Sequence, residues 1–421
     1  MLNFTKTAPM GWNSWDCWGA AVSEYTVKKN AEFIAKNLKQ YGWEYVVVDI
    51  QWYEPTAENH EYHPFAELAM DGHSRLIPAE NRFPSSEGGL GFAPLADYIH
   101  SLGLKFGIHI MRGIPRQAVH NNCGLLGTTA TAREIAKTAS ICQWNTDMYG
   151  VDPDKPGAYE YYKSIFELYA SWGVDFIKCD DICREMPACE KELRLMKKAL
   201  DACGRDIVFS LSPGAALPEY ASLYRECANM WRITDDFWDN WDQLYDMFTR
   251  ADMWSTHTGA GHWPDADMLP LGAVRQDYDP DDRCKFTGDE QRTMMTLWSI
   301  FRSPLFMGGE LTKTDDFTLS LLTNEDILRM HSDARLSRQV YRRFEDGHEV
   351  CLWQAVSQKG GHYLAVFNLS DETIQCDVDI SEAELYGSYD VRELWSGNEG
   401  KTAGVLKMEL PAHGAKAYYL R

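Results

Sequence analysis

Three groups of residues have types and spacings that could do chemistry. The first lies in Gly173-Val174-Asp175-Phe176-Ile177-Lys178-Cys179-Asp180-Asp181-Ile182. This reads as a short buried strand with charges at its end. Side chains alternate faces along a strand, so Lys178 and Asp180 point one way and Asp181 the other. A lysine and an aspartate facing together off a strand tip are costly unless they pair with each other or with a ligand. The second group is Trp231-Arg232-Ile233-Thr234-Asp235-Asp236. The third joins Asp49 and Trp52 to His262-Trp263-Pro264-Asp265-Ala266-Asp267. Carboxylates from several strand ends around one mouth, with tryptophans beside them, suit glycoside hydrolysis. That reaction takes one carboxylate as nucleophile and one carboxylic acid as proton donor, about 5–5.5 Å apart when configuration is retained. A lysine beside the nucleophile keeps it ionised.

Each group has a plainer explanation. Lys178 and Asp180 could be a structural ion pair. Asp235 and Asp236 could cap a helix starting at Phe237. Asp265 and Asp267 could be turn residues. The tryptophans could all be core, and His109 could be a satisfied polar residue. Lys178 could also serve as a Schiff-base amine in an aldolase-like barrel. No dense Asp/Asn/Gly loop indicates a divalent metal. Cys179 and Cys183 lack the second pair a zinc site needs. No Gly-rich phosphate loop follows any strand. No metal and no cofactor is expected.

These residues need a scaffold that brings distant strand ends together. Val27, Ala31, Ile34 and Leu38 recur at helical spacing, Gly42 follows, and Tyr45 to Asp49 is an apolar run closed by an acid. Runs of this kind suit strands buried on both faces of a parallel sheet. The unit repeats. Helical patterns ending at Gly103, Gly173 and Gly204 precede Leu104–His109, the Asp180 strand and Asp206–Ser212. A helix around 220–227 then leads to the Trp231 strand, and one over 293–301 leads to Pro304–Gly309. About eight such alternations predict a (β/α)8 TIM barrel over residues 1–334, with a doubly wound sheet as the alternative. Residues 111–155 predict a long loop over the barrel mouth, with room for a short helix. After about residue 335 short strands replace the alternation, with turn pairs at Asp346-Gly347 and Gly360-Gly361. Residues 335–421 therefore predict a small antiparallel β domain, a sandwich, that lacks a cluster of catalytic residue types.

The 421-residue chain carries a net charge of −21, which argues against nucleic acid and anionic membranes as partners. Its start shows no charged segment followed by an apolar run, and its eleven cysteines have no regular spacing. Free thiols in a reducing cytoplasm are the expectation.

The motifs, taken in order, resemble glycoside hydrolase family 27, the α-galactosidase and α-N-acetylgalactosaminidase family. Ala8–Trp15 resembles its opening strand, Gly173–Asp180 its nucleophile strand, and Trp231–Asp236 with Asp239-Asn240-Trp241 its acid/base segment. Gly261–Leu269 and Ser303–Met307 resemble two further motifs. The resemblance implies a retaining exo-glycosidase with Asp180 as nucleophile and Asp236 as acid/base. Asp49, Lys178 and Arg232 would bind sugar hydroxyls, Trp15 and Trp52 would flank the ring, and His109, Ser212 and Asp267 would complete the substrate site. The substrate would be an oligosaccharide or glycoconjugate with a terminal α-linked galactose. α-N-Acetylgalactosaminidase and β-L-arabinopyranosidase are the alternatives, and a non-catalytic sugar-binding relative is a third. The departures bear on the sugar. The family's paired aspartates are here Asp49-Ile50, which removes one hydroxyl contact. Ser212 and Ala215 are small, as in the N-acetylgalactosaminidases, and His109 and Arg112 replace the family's usual residues after the third strand.

Overall fold

A computed structural model describes residues 5–345 and 347–421. Eight parallel strands form the first part: β1 (Met10–Asn13), β2 (Tyr45–Val48), β3 (Lys105–Met111), β4 (Phe176–Asp180), β5 (Val208–Leu211), β6 (Met230–Arg232), β7 (Trp263–Asp265) and β8 (Leu305–Met307). Each pairs with its neighbour in chain order, and β8 returns to β1 through Met10 opposite Leu305. The remaining gap closes just beyond β7, where Leu269 bridges Met307 in parallel. This is the predicted barrel.

Strand alternation sorts the side chains into layers. Phe176, Lys178 and Asp180 point inward, while the fully buried Ile177 and Cys179 point outward against the helices. Tyr45, Val47, Phe176, Val208, Met230, Trp263 and Phe306 form an apolar plug across the barrel floor. Above it, Asn13, Lys178, Ser210, Arg232 and Asp265 line a small polar cavity. Asp180 and Asp267 stand one inward position higher, and Asp49 follows β2 in the row of Lys178, all toward the C-terminal strand ends where such barrels carry chemistry. Close strand approach requires glycine at position 11, where an added Cβ would lie 2.4 Å from the Tyr45 carbonyl oxygen. Gly173, at φ 82°, ends helix Ala158–Ser171 and turns the chain into β4.

The predicted helix over 27–38 is helical but not uniform. Glu24–Phe33 is an α-helix capped by Ser23, and Ile34–Leu38 widens into a π-helical turn. The 111–155 segment holds more structure than a loop. It contains helices Arg116–Asn121 and Ala132–Ile135 and a three-stranded antiparallel patch.

Helix Glu325–Asp333 runs directly into strand Ala334–Glu345, which opens the C-terminal part. A six-stranded antiparallel sheet, in the order 334–345, 348–357, 362–368, 415–420, 389–393, 399–402, faces a two-stranded ribbon of 374–379 and 405–410. Val350, Leu352, Leu364 and Val366 pack against Ile374, Val378, Leu406 and Leu410 between them. The Asp346 half of the expected Asp346-Gly347 turn lies outside the described residues, as do residues 1–4. The other face of the sheet merges with the barrel core through Trp353 against Phe301 and Phe367 against Phe248.

Candidate active site

A cleft of about 280 Å³ opens at the C-terminal ends of the barrel strands. Asp49, Lys178, Asp180 and Asp236 line it together with Trp15, Ile50, Tyr62, Trp144, Arg184, Pro213 and Asp235. The two carboxylates expected to do the chemistry therefore share one cleft. They differ in surroundings: the Asp180 side chain is 13% exposed and that of Asp236 52%.

Asp49 anchors the cleft floor. Its Oδ2 accepts hydrogen bonds from Asn13 Nδ2 and Lys178 Nζ, each at 2.8 Å, and its Oδ1 accepts from the Ile50 amide. Burial, the largest single influence, pushes the Asp49 carboxyl up, but the charge and hydrogen bond of Lys178, with His109 and the Ile50 amide, together hold the group well below the usual range. Lys178 thus binds Asp49 directly, which corrects the expectation that it pairs with Asp180. The strand alternation puts Lys178 one inward position below Asp180, from where its ammonium crosses in front of β3 to the acid that follows β2. The side chain that touches Asp180 is His109, whose Nε2 lies 3.1 Å from Asp180 Oδ2. Asp180 Oδ1 accepts from the Asp181 amide at 3.1 Å. Burial raises the Asp180 carboxyl, yet the hydrogen bond and electrostatic attraction of His109, followed by the Lys178 charge, leave it below its ordinary value.

Asp236 follows β6 on a loop. Its Oδ1 accepts from the Arg232 guanidinium at 3.1 Å, and the same guanidinium lies 2.7 Å from Asp267 Oδ2. Asp267 also accepts from the Phe237 amide at 2.8 Å, which pins the loop that carries Asp236. Burial, with repulsion from Asp236 and Asp265 added to it, raises the Asp267 carboxyl to about 7 despite the Arg232 charge. The helix-cap explanation for Asp235 and Asp236 does not hold. The next helix begins at Trp241, and Asn240 caps it. Asp235 instead accepts from Arg184 at 2.7 Å on the rim.

Five residues expected to touch substrate, Trp52, His109, Ser212, Arg232 and Asp267, do not line the cleft. Trp52 is fully buried among Tyr53, Phe92 and Trp172, and its indole N–H donates to the His109 carbonyl. Counting along β2 explains this: Trp52 is four residues past Val48, after the chain has turned at Gln51 (φ 62°). Ser212 and Asp267 are both buried and line the small inner cavity beneath the cleft. Arg112 is likewise buried, and binds Asp181 and Glu192 rather than facing the cleft.

The aromatic wall comes instead from Trp15, Tyr62 and Trp144. Trp15 stacks on Tyr62 at 6.0 Å between centroids, and Tyr62 meets Trp144 at 5.6 Å. Tyr62 and Trp144 sit on the long segments after β2 and β3, whose irregular sequence gives no periodicity to place a side chain. Ile50 lines the cleft as an apolar patch beside Asp49 and is 1% exposed.

Comparisons with known proteins give the site a context. Residues 153–333 match the family described as alpha galactosidase A, and residues 347–420 match the alpha galactosidase C-terminal beta sandwich domain. The chain is 26% identical to an alpha-galactosidase of Cyamopsis tetragonoloba, across 99% of this chain and 86% of that one. It is 55% identical to a β-L-arabinopyranosidase of glycoside hydrolase family 27 from Geobacillus stearothermophilus, with a TM-score of 0.96 over all of this chain and 97% of that one. A variant of the same Geobacillus enzyme, solved in complex with arabinose, matches equally well.

Proposed function

Because the chain belongs to glycoside hydrolase family 27, we propose that it is a retaining exo-glycosidase for galacto-configured sugars, with terminal β-L-arabinopyranose as the preferred group. The observation that carries the preference is Ile50, an apolar side chain in a cleft otherwise lined near Asp49 by charge. β-L-Arabinopyranose has the ring stereochemistry of α-galactose but no hydroxymethyl at C5. Set against Ile50, that C5 edge buries only C–H, whereas a hydroxymethyl would lose water without gaining the carboxylate the family usually supplies. The similarity to the Geobacillus β-L-arabinopyranosidase supports the same choice.

In the proposed reaction, the Asp180 carboxylate attacks C1 as the bond from C1 to the leaving oxygen breaks. Asp236 gives its proton to that oxygen. Water then attacks C1 from the vacated side and gives a proton to Asp236. The C1–Asp180 ester bond breaks and its electron pair returns to the carboxylate. Asp49 and Lys178, bound to each other, present fixed partners to ring hydroxyls. Arg232 holds Asp236 over the cleft. Removal of α-linked galactose is the second reading, favoured by the curated relatives. A panel of 4-nitrophenyl glycosides tests both. The expected order of kcat/KM is β-L-arabinopyranoside, α-galactoside, then α-N-acetylgalactosaminide. An α-galactoside turned over faster than the arabinopyranoside would replace the first reading with the second, and no turnover of any of the three would remove both.

A further inference from the structure

We infer that His109 is a positioning residue for the nucleophile whose Nε2–H speeds release of the sugar from Asp180 rather than its capture. The inference rests on the retaining reading above. His109 is fully buried on β3, opposite Lys178 in the sheet register. Its Nε2 faces Asp180 Oδ2 at 3.1 Å, and its Nδ1 is buried with no hydrogen-bond partner among the described residues. An ionised carboxylate can only accept, so the proton of this contact belongs to Nε2. Nε2 carries that proton whether the ring holds one proton or two, so its N–H is aimed at Asp180 in either state. Trp52 fixes that aim from behind by donating to the His109 carbonyl at 2.7 Å. The Lys178 ammonium is also close by, but it is bound to Asp49.

The hydrogen bond acts unequally on the two half-reactions. It is strongest when Asp180 carries full negative charge, as in the free enzyme, and weakens as the ester to C1 forms. It therefore stabilises the starting state of glycosylation more than its transition state. In the second half-reaction the order reverses. Charge returns to Asp180 as water attacks C1, and the Nε2–H meets the carboxylate as it leaves. Only an interaction stronger in the transition state than in the state before it accelerates a step. His109 thus makes Asp180 a better leaving group at a small cost in its power as a nucleophile.

The test compares four proteins, wild type, His109→Phe, His109→Asn and His109→Gln, with 2,4-dinitrophenyl β-L-arabinopyranoside, whose leaving group departs readily. Gln can place an amide N–H near the Nε2 position, whereas the shorter Asn reaches only the Nδ1 position, and Phe has no donor. The Phe and Asn variants are expected to lose about tenfold or more in kcat with kcat/KM changed less than about threefold. Their KM falls accordingly, and a pentosyl adduct of the intact protein persists in acid-quenched samples by mass spectrometry. The Gln variant is expected to restore adduct decay to within about threefold of wild type. Equal falls in kcat and kcat/KM without adduct, or identical decay in Gln and Asn variants, would overturn the inference. Should Phe not fold, the Gln and Asn pair decides alone. A wild-type enzyme that releases no dinitrophenolate and forms no adduct would instead count against the hydrolase reading itself.

Discussion

At the scale of single residues, the site depends on how differently equal side chains are surrounded. Asp180 and Asp236 are both aspartates, yet one is sunk beside His109 and the other hangs from Arg232 over open cleft. Asp180→Asn should keep the fold and bind arabinose, while turnover falls at least about ten-thousandfold, since a carboxamide forms no comparable ester. Isothermal titration and a nitrophenyl assay check the two halves, and unchanged turnover would remove Asp180 from the nucleophile role. Ile50→Asp restores the carboxylate the family carries there. It should raise the kcat/KM ratio of α-galactoside to β-L-arabinopyranoside by about tenfold or more, because a buried hydrogen-bonding partner discriminates far better than an apolar wall. An unchanged ratio would show that Ile50 does not face C5. That Lys178 and Asp180 share a face could be read from sequence because period-two alternation fixes it. Trp52 could not, because the turn at Gln51 breaks that count. Tyr62 and Trp144 could not either, since they reach the cleft on segments without a repeating pattern.

At the scale of elements, parallel strands carry the design. The apolar run Tyr45–Val48 and its counterparts announced strands buried on both faces, and glycines after the helices marked where each turned back. Less visible were the π-helical turn at Ile34–Leu38 and the antiparallel patch within 111–155, because local sequence does not distinguish them from an ordinary helix and a loop. Gly11 shows how closely the strands approach. Gly11→Ala would drive a methyl into the Tyr45 carbonyl across the β1–β2 contact. It should cost about 3 kcal/mol or more, read as a lowered urea midpoint with an unchanged slope, and a loss below about 0.5 kcal/mol would mean the strands part easily.

At the scale of the whole molecule, the β domain is an extension of the barrel core rather than a separate body. Besides the Phe301–Trp353 and Phe248–Phe367 contacts, His413 stacks on Trp241 at 3.5 Å and holds Glu290 at 2.8 Å. Trp241 begins the helix that follows the Asp236 loop, so the β domain buttresses that loop from behind. The change of rhythm near residue 335 was legible in sequence. The shared core was not, because strand patterns show which faces are apolar but not what they meet. Calorimetry should show one unfolding transition for the whole chain, and residues 1–334 alone should be insoluble. Two resolved transitions, or a soluble and active barrel fragment, would contradict a shared core. The ring of strands has a further consequence for how the chain is made. β1 closes against β8, and the Trp12 indole donates to the Gly309 carbonyl across 297 residues of sequence. At bacterial and eukaryotic translation speeds of about 5–20 residues per second, β1 leaves the ribosome roughly 15–60 s before its partner exists. For that interval it presents an unpaired apolar edge to the cell, which makes the first strand the place where a chaperone has the longest work to do.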